Sequence, residues 1–285
     1  MTPADKLIAS DVRTRFARLV LRPDRRFDLA EAALLVAAEE DPRCDVARCF
    51  AQLDELGIEA RARLESERGA SKVAAFNQYM FDNLDFIGNR QDYYDPRNSL
   101  LNHVLRRHTG IPITLSIVYI EVGWRAGLRT EGVGLPGHFI VRVRPDEESD
   151  EAMLVDPFNR AVIDEEDCQE RLDVVYNGQV PLTANHMQAA TPREIVIRLL
   201  RNLKAVYAQA HLHRRALAAV ERILLLAPQA LDEHRDRGAL LAHLGRYAEA
   251  ITDLRTYLNF SPDATDAEAV REQLKRVHAH LAALN

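Results

Sequence analysis

Two residues in the middle of the chain have the types and setting that acyl-group chemistry uses. His138 opens the segment Gly137-His138-Phe139-Ile140-Val141-Arg142-Val143, and Asp156 sits in Leu154-Val155-Asp156-Pro157-Phe158. A histidine oriented by a carboxylate acts as general base when a nucleophile stands within about 3 Å of its other ring nitrogen. The usual third member is a cysteine at a helix start, where the positive end of the macrodipole lowers the thiol pKa. A helix does start ahead of His138, at Gly110-Ile111-Pro112-Ile113-Thr114-Leu115-Ser116, and its opening carries no cysteine. Ser116, Ser99 and Cys168 are the other candidate nucleophiles. Ser116 occupies an ordinary helix position and is expected to bond a carbonyl one turn back. Cys168 reaches the pair only if the chain folds back over it. The alternative role for His138 and Asp156 is structural, since breaking a buried pair costs on the order of 3–5 kcal/mol.

A polar, aromatic loop containing Asp92, Tyr94, Asp95, Arg97, Asn98 and Asn102 precedes that helix and is rich enough in hydrogen-bonding groups to line a cleft. Asn98 has a simpler role as well, capping the helix predicted over Leu100 to Arg107. The candidate cleft residues are thus Asp95, Asn98, Asn102, Pro112, Ser116 and Arg142, the last on the strand face of His138. Metal ligation finds no short motif: His103 and His108 are five apart rather than four, and Cys44 and Cys49 have no second Cys or His pair. No metal and no cofactor are expected.

These residues need elements to position them. From Phe27 to about Leu64 apolar positions recur at helical spacing, with Leu29, Ala33, Val36 and Ala37 on one face and Pro42 ending the run. A further helix is predicted around Val73 to Leu84, followed by a turn at Phe86-Ile87-Gly88-Asn89. Pro112 and Gly127 then bracket a central helix in the favoured order, proline in the first turn and glycine at the exit. Ile113, Ile117, Ile120 and Trp124 make its stripe, thickened by Leu115, Val118 and Val122, so it belongs inside the domain. Beyond it the period changes to two. Phe139, Val141 and Val143 point one way and His138, Ile140 and Arg142 the other. A hairpin centred near Glu147 places His138 opposite Asp156, on the face of Ile140 and Leu154.

A chain of 285 residues, 47% hydrophobic, suits one large domain or two smaller ones. The formal net charge of -6, without long single-sign runs, argues against nucleic acid or an anionic membrane as partner. The first twenty residues interleave charges with apolar groups, unlike a secretory signal, and no stretch approaches a bilayer span. Three scattered cysteines make no disulfide framework, and cytoplasm is the expected location.

From about Arg193 the pattern is helical throughout and repeats with an offset of 34 residues. Ala216 matches Ala250, Leu217 matches Ile251, Val220 matches Leu254 and Pro228 matches Pro262. Together with Gly245 and Tyr247 in Leu-Gly-Arg-Tyr-Ala-Glu-Ala, this resembles the tetratricopeptide repeat, with His211 where the glycine of the preceding unit would stand. A helix from Glu268 to Leu284 is the expected cap.

The loop Asp92-Tyr93-Tyr94-Asp95-Pro96-Arg97-Asn98-Ser99, the helix opening, Gly134-Leu135-Pro136-Gly137-His138-Phe139 and Asp156-Pro157-Phe158-Asn159, together with the repeat, resemble the bacterial SirB family. The resemblance covers about Phe27 to the C-terminus. It implies an α+β, papain-like transglutaminase-like domain with a helical N-terminal part and a small antiparallel sheet, then an all-α tetratricopeptide-repeat domain. The expected division is a lead-in over 1–26, the first domain over 27–190 and the repeats over 191–285. Matching the central helix to that of active members, backwards from Gly127, puts Pro112 where their cysteine stands, with His138 and Asp156 as a relic dyad. The implied function is non-catalytic and regulatory, with a protein or peptide partner held in the cleft and on the concave face of the repeats. A hydrolase or acyl transferase using His138 and Asp156 with an unusual nucleophile is the alternative. Oligomeric state leaves no mark in the pattern.

Overall fold

Asp28 and Asp45 each precede an apolar run, and each caps it: their carboxylates accept from the Glu31 amide at 2.7 Å and the Arg48 amide at 3.0 Å. The computed structural model describes residues 3–146 and 151–284, and its chain forms two units, Met1–Leu199 and Leu200–Asn285. In the first unit the helices are α1 (Pro3–Val20), α2 (Leu29–Glu40), α3 (Val46–Leu64), α4 (Gly69–Asn77), α5 (Leu101–Arg107), α6 (Pro112–Arg125) and α7 (Glu165–Tyr176). α8 (Pro192–Gln209) contains the division between the units. The strands are β1 (Ile87–Gly88), β2 (Thr109–Gly110), β3 (Arg129–Val133), β4 (Ile140–Arg144), β5 (Met153–Asp156) and β6 (Ala161–Ile163).

The N-terminal segment expected as a lead-in is a helix instead. Val12, Phe16 and Leu19 of α1 are buried, and α1 packs on α2. Their spacing of four and three is helical, but the interleaved charges hide it in the sequence. The helix predicted around Val73 to Leu84 also differs, because α4 passes at Gln78 into a π-helical turn that ends at Asn83. Ile87 and Gly88, expected as a turn, pair in parallel with Thr109 and Gly110, which ties the loop ahead of α5 to the residues just before α6.

Pro112 occupies the first turn of α6, where its missing amide hydrogen costs nothing, and Gly127 leaves the helix in the left-handed region at φ 88°. Ile113, Leu115, Ile117, Val118 and Val122 are buried, each contributing about 1.5–3 kcal/mol of hydrophobic free energy. Trp124, expected in the buried stripe, is 69% exposed. Its neighbours Val122 and Ala126 stay buried, so the Trp124 position lies on the outer side of the helix, while Gly57 of α3 lies against the Arg125 stem.

β3, β4, β5 and β6 form an antiparallel sheet in that order. Thr130 pairs with Val143 and touches Gly123 and the Ile120 carbonyl of α6, so the face of Val141, Val143 and Val155 covers α6. The opposite face carries Ile140, Val133 and Ile163, which pack with Cys168 and Leu172 of α7. Both faces are therefore apolar, and α7 completes a helix–sheet–helix sandwich over the end of β5.

The second unit continues with α9 (His213–Leu226), α10 (Leu231–His243), α11 (Tyr247–Phe260) and α12 (Ala267–Ala282). α9 and α11 are both 14 residues long and start 34 positions apart. Ala216 and Ala250 are fully buried, and Val220 and Leu254 likewise. Gly245 has φ 74°, and His211, its counterpart, adopts φ 55°. The repeat geometry thus forces a left-handed residue at both turns, at some strain in the histidine. Buried acids stitch the pairs together: Glu233 accepts from Arg201 at 2.9 Å and Lys204 at 2.8 Å, and Asp253 from Arg237 at 2.6 Å.

Candidate functional site

His138 is presented by a turn, not by a strand. The chain turns at Pro136-Gly137, with φ 72° at Gly137, and β4 begins only at Ile140. Val141 pairs with Val155, so Asp156 is level with Ile140 and the expected His138–Asp156 register does not hold. The hairpin centre at Glu147 lies outside the described residues. The two side chains nevertheless meet, on a diagonal: His138 Nε2 is 2.7 Å from Asp156 Oδ2. Arg198 of α8 fixes the turn, its Nη2 donating to the carbonyls of Leu135 and His138, both at 2.6 Å.

Asp156 is fully buried and its carboxylate is saturated with donors. Oδ2 accepts from His138, from Asn159 Nδ2 at 2.6 Å and from Arg171 Nη2 at 3.0 Å. Oδ1 accepts from the amides of Phe158 and Asn159, both at 3.1 Å. Burial alone would raise its pKa, but the hydrogen bonds and charge from His138 and Asn159 outweigh it and hold the carboxyl down at about 2. An ionised carboxylate only accepts, so His138 carries its proton on Nε2 when neutral and Nδ1 is then an acceptor. Among the described residues nothing bonds Nδ1.

No hydroxyl or thiol of the described residues hydrogen-bonds that nitrogen, the buried Ser99 included. Pro112 stands at the opening of α6. Ser116 does not bond back along its own helix as expected; its Oγ donates to the Phe139 carbonyl at 3.4 Å, which ties α6 to the approach to β4. Cys168 does fold back over the sheet, but into the apolar core with Ile140 and Leu172, where burial pushes its thiol up to about 11.

The remaining expected cleft residues separate. Asn98 does not cap α5, whose N-cap is Leu100 without a side-chain bond. Fully buried, it pins the preceding loop: Nδ2 donates to the carbonyls of Asp92 at 2.7 Å and Tyr93 at 3.2 Å, and Oδ1 accepts from Asn89 at 3.1 Å. Asp95 caps the short turn Pro96–Ser99 and pairs with Arg97 at 2.8 Å. Hydrogen bonds and charge from Arg97 override the effect of burial and lower its pKa. Asn102 is not a cleft residue, because it points to Asp41 at 3.3 Å, next to the His103–Asp41 contact at 3.1 Å. Arg142 also lies elsewhere, pairing with the Met187 carbonyl at 2.5 Å and lining a cavity of about 780 Å³ with Glu165, Glu166 and Gln169. One residue of register decides this: Arg142 follows Ile140 onto the α7 face but four positions beyond His138.

What surrounds His138 instead are residues the pattern did not single out. Arg171 of α7 contacts Asp156, and Arg90 bonds Asn159 and lies over the Phe158 ring at 5.3 Å. Phe158 in turn stacks edge-on to His138 at 6.3 Å and to Tyr93 at 6.1 Å. A signal for α7 was present in Asp164-x-x-Asp167, which forms a reciprocal capping box, but nothing local tells which of its cations reaches Asp156.

Known proteins are similar to this chain in sequence. Residues 47–201 match the family model described as the transglutaminase-like superfamily, and residues 203–275 match a tetratricopeptide-repeat model. A UPF0162 protein of Xylella fastidiosa is 37% identical over 268 residues, covering 90% of this chain and 94% of its own. A UPF0162 protein of Pseudomonas aeruginosa is 31% identical over 246 residues, covering 86% and 89%. A 79-residue stretch is 40% identical to F-box only protein 21 of Mus musculus, 28% of this chain and 13% of that one. With a transglutaminase-like match over residues 47–201, a tetratricopeptide-repeat match behind it and relatives of 31–37% identity along most of its length, the chain belongs to the transglutaminase-like superfamily, in the SirB-type UPF0162 group.

Proposed function

We propose that the first unit is a catalytically silent transglutaminase-like domain that holds a protein or peptide segment beside His138, and that the repeat unit offers a second protein-binding surface on its concave side. The protein acts as a cytoplasmic interaction and regulatory module. One observation carries this: His138 Nδ1, the atom that would activate a nucleophile, has no hydroxyl or thiol partner among the described residues. Pro112 is an imino acid without a nucleophilic atom, Ser116 is bonded to a carbonyl, Cys168 is protonated and buried in the core, and Ser99 is buried without a hydrogen bond to His138. Covalent catalysis needs a nucleophile within hydrogen-bond reach of its base. Tetratricopeptide repeats bind extended or helical segments along their stacked helices, which supports the second surface.

The intact 2.7 Å contact between His138 and Asp156 favours the alternative of a hydrolase or acyl transferase with a non-standard nucleophile. One assay separates the two. The full chain is incubated with a panel of peptides containing Gln, Asn and ester linkages, and ammonia release, hydrolysis and amine incorporation are followed by mass spectrometry. The silent domain produces none of these above buffer. Turnover that His138→Ala abolishes overturns the proposal.

A further inference from the structure

Three guanidiniums gather around His138 against one carboxylate. Arg171 is spent on Asp156. Arg90 hydrogen-bonds the neutral side chain of Asn159 and lies over the Phe158 ring, and Arg198 hydrogen-bonds the backbone oxygens of Leu135 and His138 and lies over the Phe139 ring at 5.3 Å. Neither Arg90 nor Arg198 has an acidic partner among the described residues, although acids outnumber bases in the chain and its net charge is -6. Asp85 is paired with Arg160 and Asp95 with Arg97, and Asp92, two residues from Arg90, makes no ion pair with either Arg90 or Arg198. Arg198 is the more telling of the two. It is partly buried, burial pushes its pKa down, and the group that offsets this is Tyr93 rather than a carboxylate. Desolvating a cation without an anion is costly unless a counter-ion completes the site. Its Nη1 and Nε make no hydrogen bond to the described residues. An apolar rim stands around these donors: Phe158, the exposed rings of Tyr93 and Tyr94, and the exposed Val175, whose methyl lies over Gly137.

We propose that the groove at His138 is a carboxylate site that takes the free C-terminus of a peptide with an apolar last residue. The proposal rests on the reading of this groove as one that holds and does not cut. Arg198 and Arg90 supply the charge, Nδ1 of neutral His138 accepts the last amide N–H, which stands beside a terminal carboxylate, and the last side chain rests on Tyr93, Phe158 and Val175. A side-chain carboxylate meets the same cations but lacks an N–H at that spacing. This ligand differs from the uncharged carboxamide or ester that an acyl-transfer site accepts.

The test is a titration of the full chain, labelled with ¹⁵N-histidine, with three probes: acetyl-Gly-Phe acid, acetyl-Gly-Phe amide and acetyl-Phe-Glu amide. The acid is expected to shift the His138 ring nitrogens and to bind about tenfold or more tighter than its amide, the scale of one charge-assisted hydrogen bond. Arg198→Gln brings the acid down to the level of the amide. Should Arg198→Gln fail to fold, Arg90→Gln, at an exposed position, reads the same preference and lowers it severalfold. Binding of acetyl-Phe-Glu amide as tight as the acid overturns the assignment to a terminal carboxylate. Equal binding of acid and amide, or no shift with any probe at millimolar concentration, overturns the site altogether. Turnover of a probe would speak against the silent-domain reading, whichever probe binds best, so the two failures are distinct.

Discussion

Replacing Asp156 by asparagine tests whether the saturated carboxylate stabilises the first unit as its surroundings imply. The carboxyl is fully buried and its pKa is lowered from 3.8 to about 2. A drop of that size in a desolvated group corresponds to about 2–3 kcal/mol of folding free energy. The folded-state value lies below the unfolded one, so the contribution is complete above about pH 5 and is lost as pH falls through about 4 towards 2. Asp156→Asn carries no charge at any pH and leaves Arg171 and His138 facing a neutral amide. Its stability at pH 7 should fall by about 2–5 kcal/mol, the range for breaking one side of a buried pair. Its deficit relative to the wild type should then shrink between about pH 5 and pH 3 as the wild-type carboxylate is protonated. Urea unfolding read by the fluorescence of Trp124, the single tryptophan and part of the first unit, measures both. If the two proteins lose stability in parallel from pH 6 to pH 3, the depressed carboxylate is not a source of stability and the reasoning fails.

Asn98→Ala removes three side-chain hydrogen bonds and leaves the Tyr93 carbonyl without its partner, while the Asp92 carbonyl keeps the Asp95 amide, a cost of about 2–3 kcal/mol. Amide exchange over residues 89–95 should speed up while α9 to α11 stay protected, and unchanged exchange in the loop would contradict its role as a pin. Cys168, at about 11, carries thiolate in about one molecule in several thousand at pH 7.5 and should resist iodoacetamide until the first unit unfolds. Fast native-state alkylation at that residue, seen by peptide mapping, would show it is not the core group described. In Gly88→Ala the new methyl would come within 2.5 Å of Phe158 Cδ2, displacing the ring beside His138 and costing about 1–3 kcal/mol. A thermal midpoint within error of the wild type would mean that Phe158 yields freely and does not shape the groove.

Much of this molecule is short-range and therefore legible in the residue order. Pro112 and Gly127 delimit α6 because a fixed φ and a left-handed exit are properties of single residues. The 34-residue offset places α9 and α11 correctly because each repeat buries the same positions against its neighbours, even where His211 must adopt a glycine's conformation. The meeting of His138 and Asp156 was legible in residue type but not in register, since the Pro136-Gly137 turn carries the imidazole diagonally across the end of β5. The partners that give the groove its charge are 15 to 60 residues away along the chain, Arg171 from Asp156 and Arg198 from the His138 carbonyl. Helical periodicity says that such arginines lie near an apolar stripe, but only packing chooses the oxygen each one reaches. The same holds for Ser116, whose hydroxyl lies as close to its own helix as to β4 until the sheet is laid against it. Side-chain direction at a crossing of elements depends on contacts that no local pattern encodes, and here those contacts tie Ser116 to the approach to β4 and the His138 ring to Asp156.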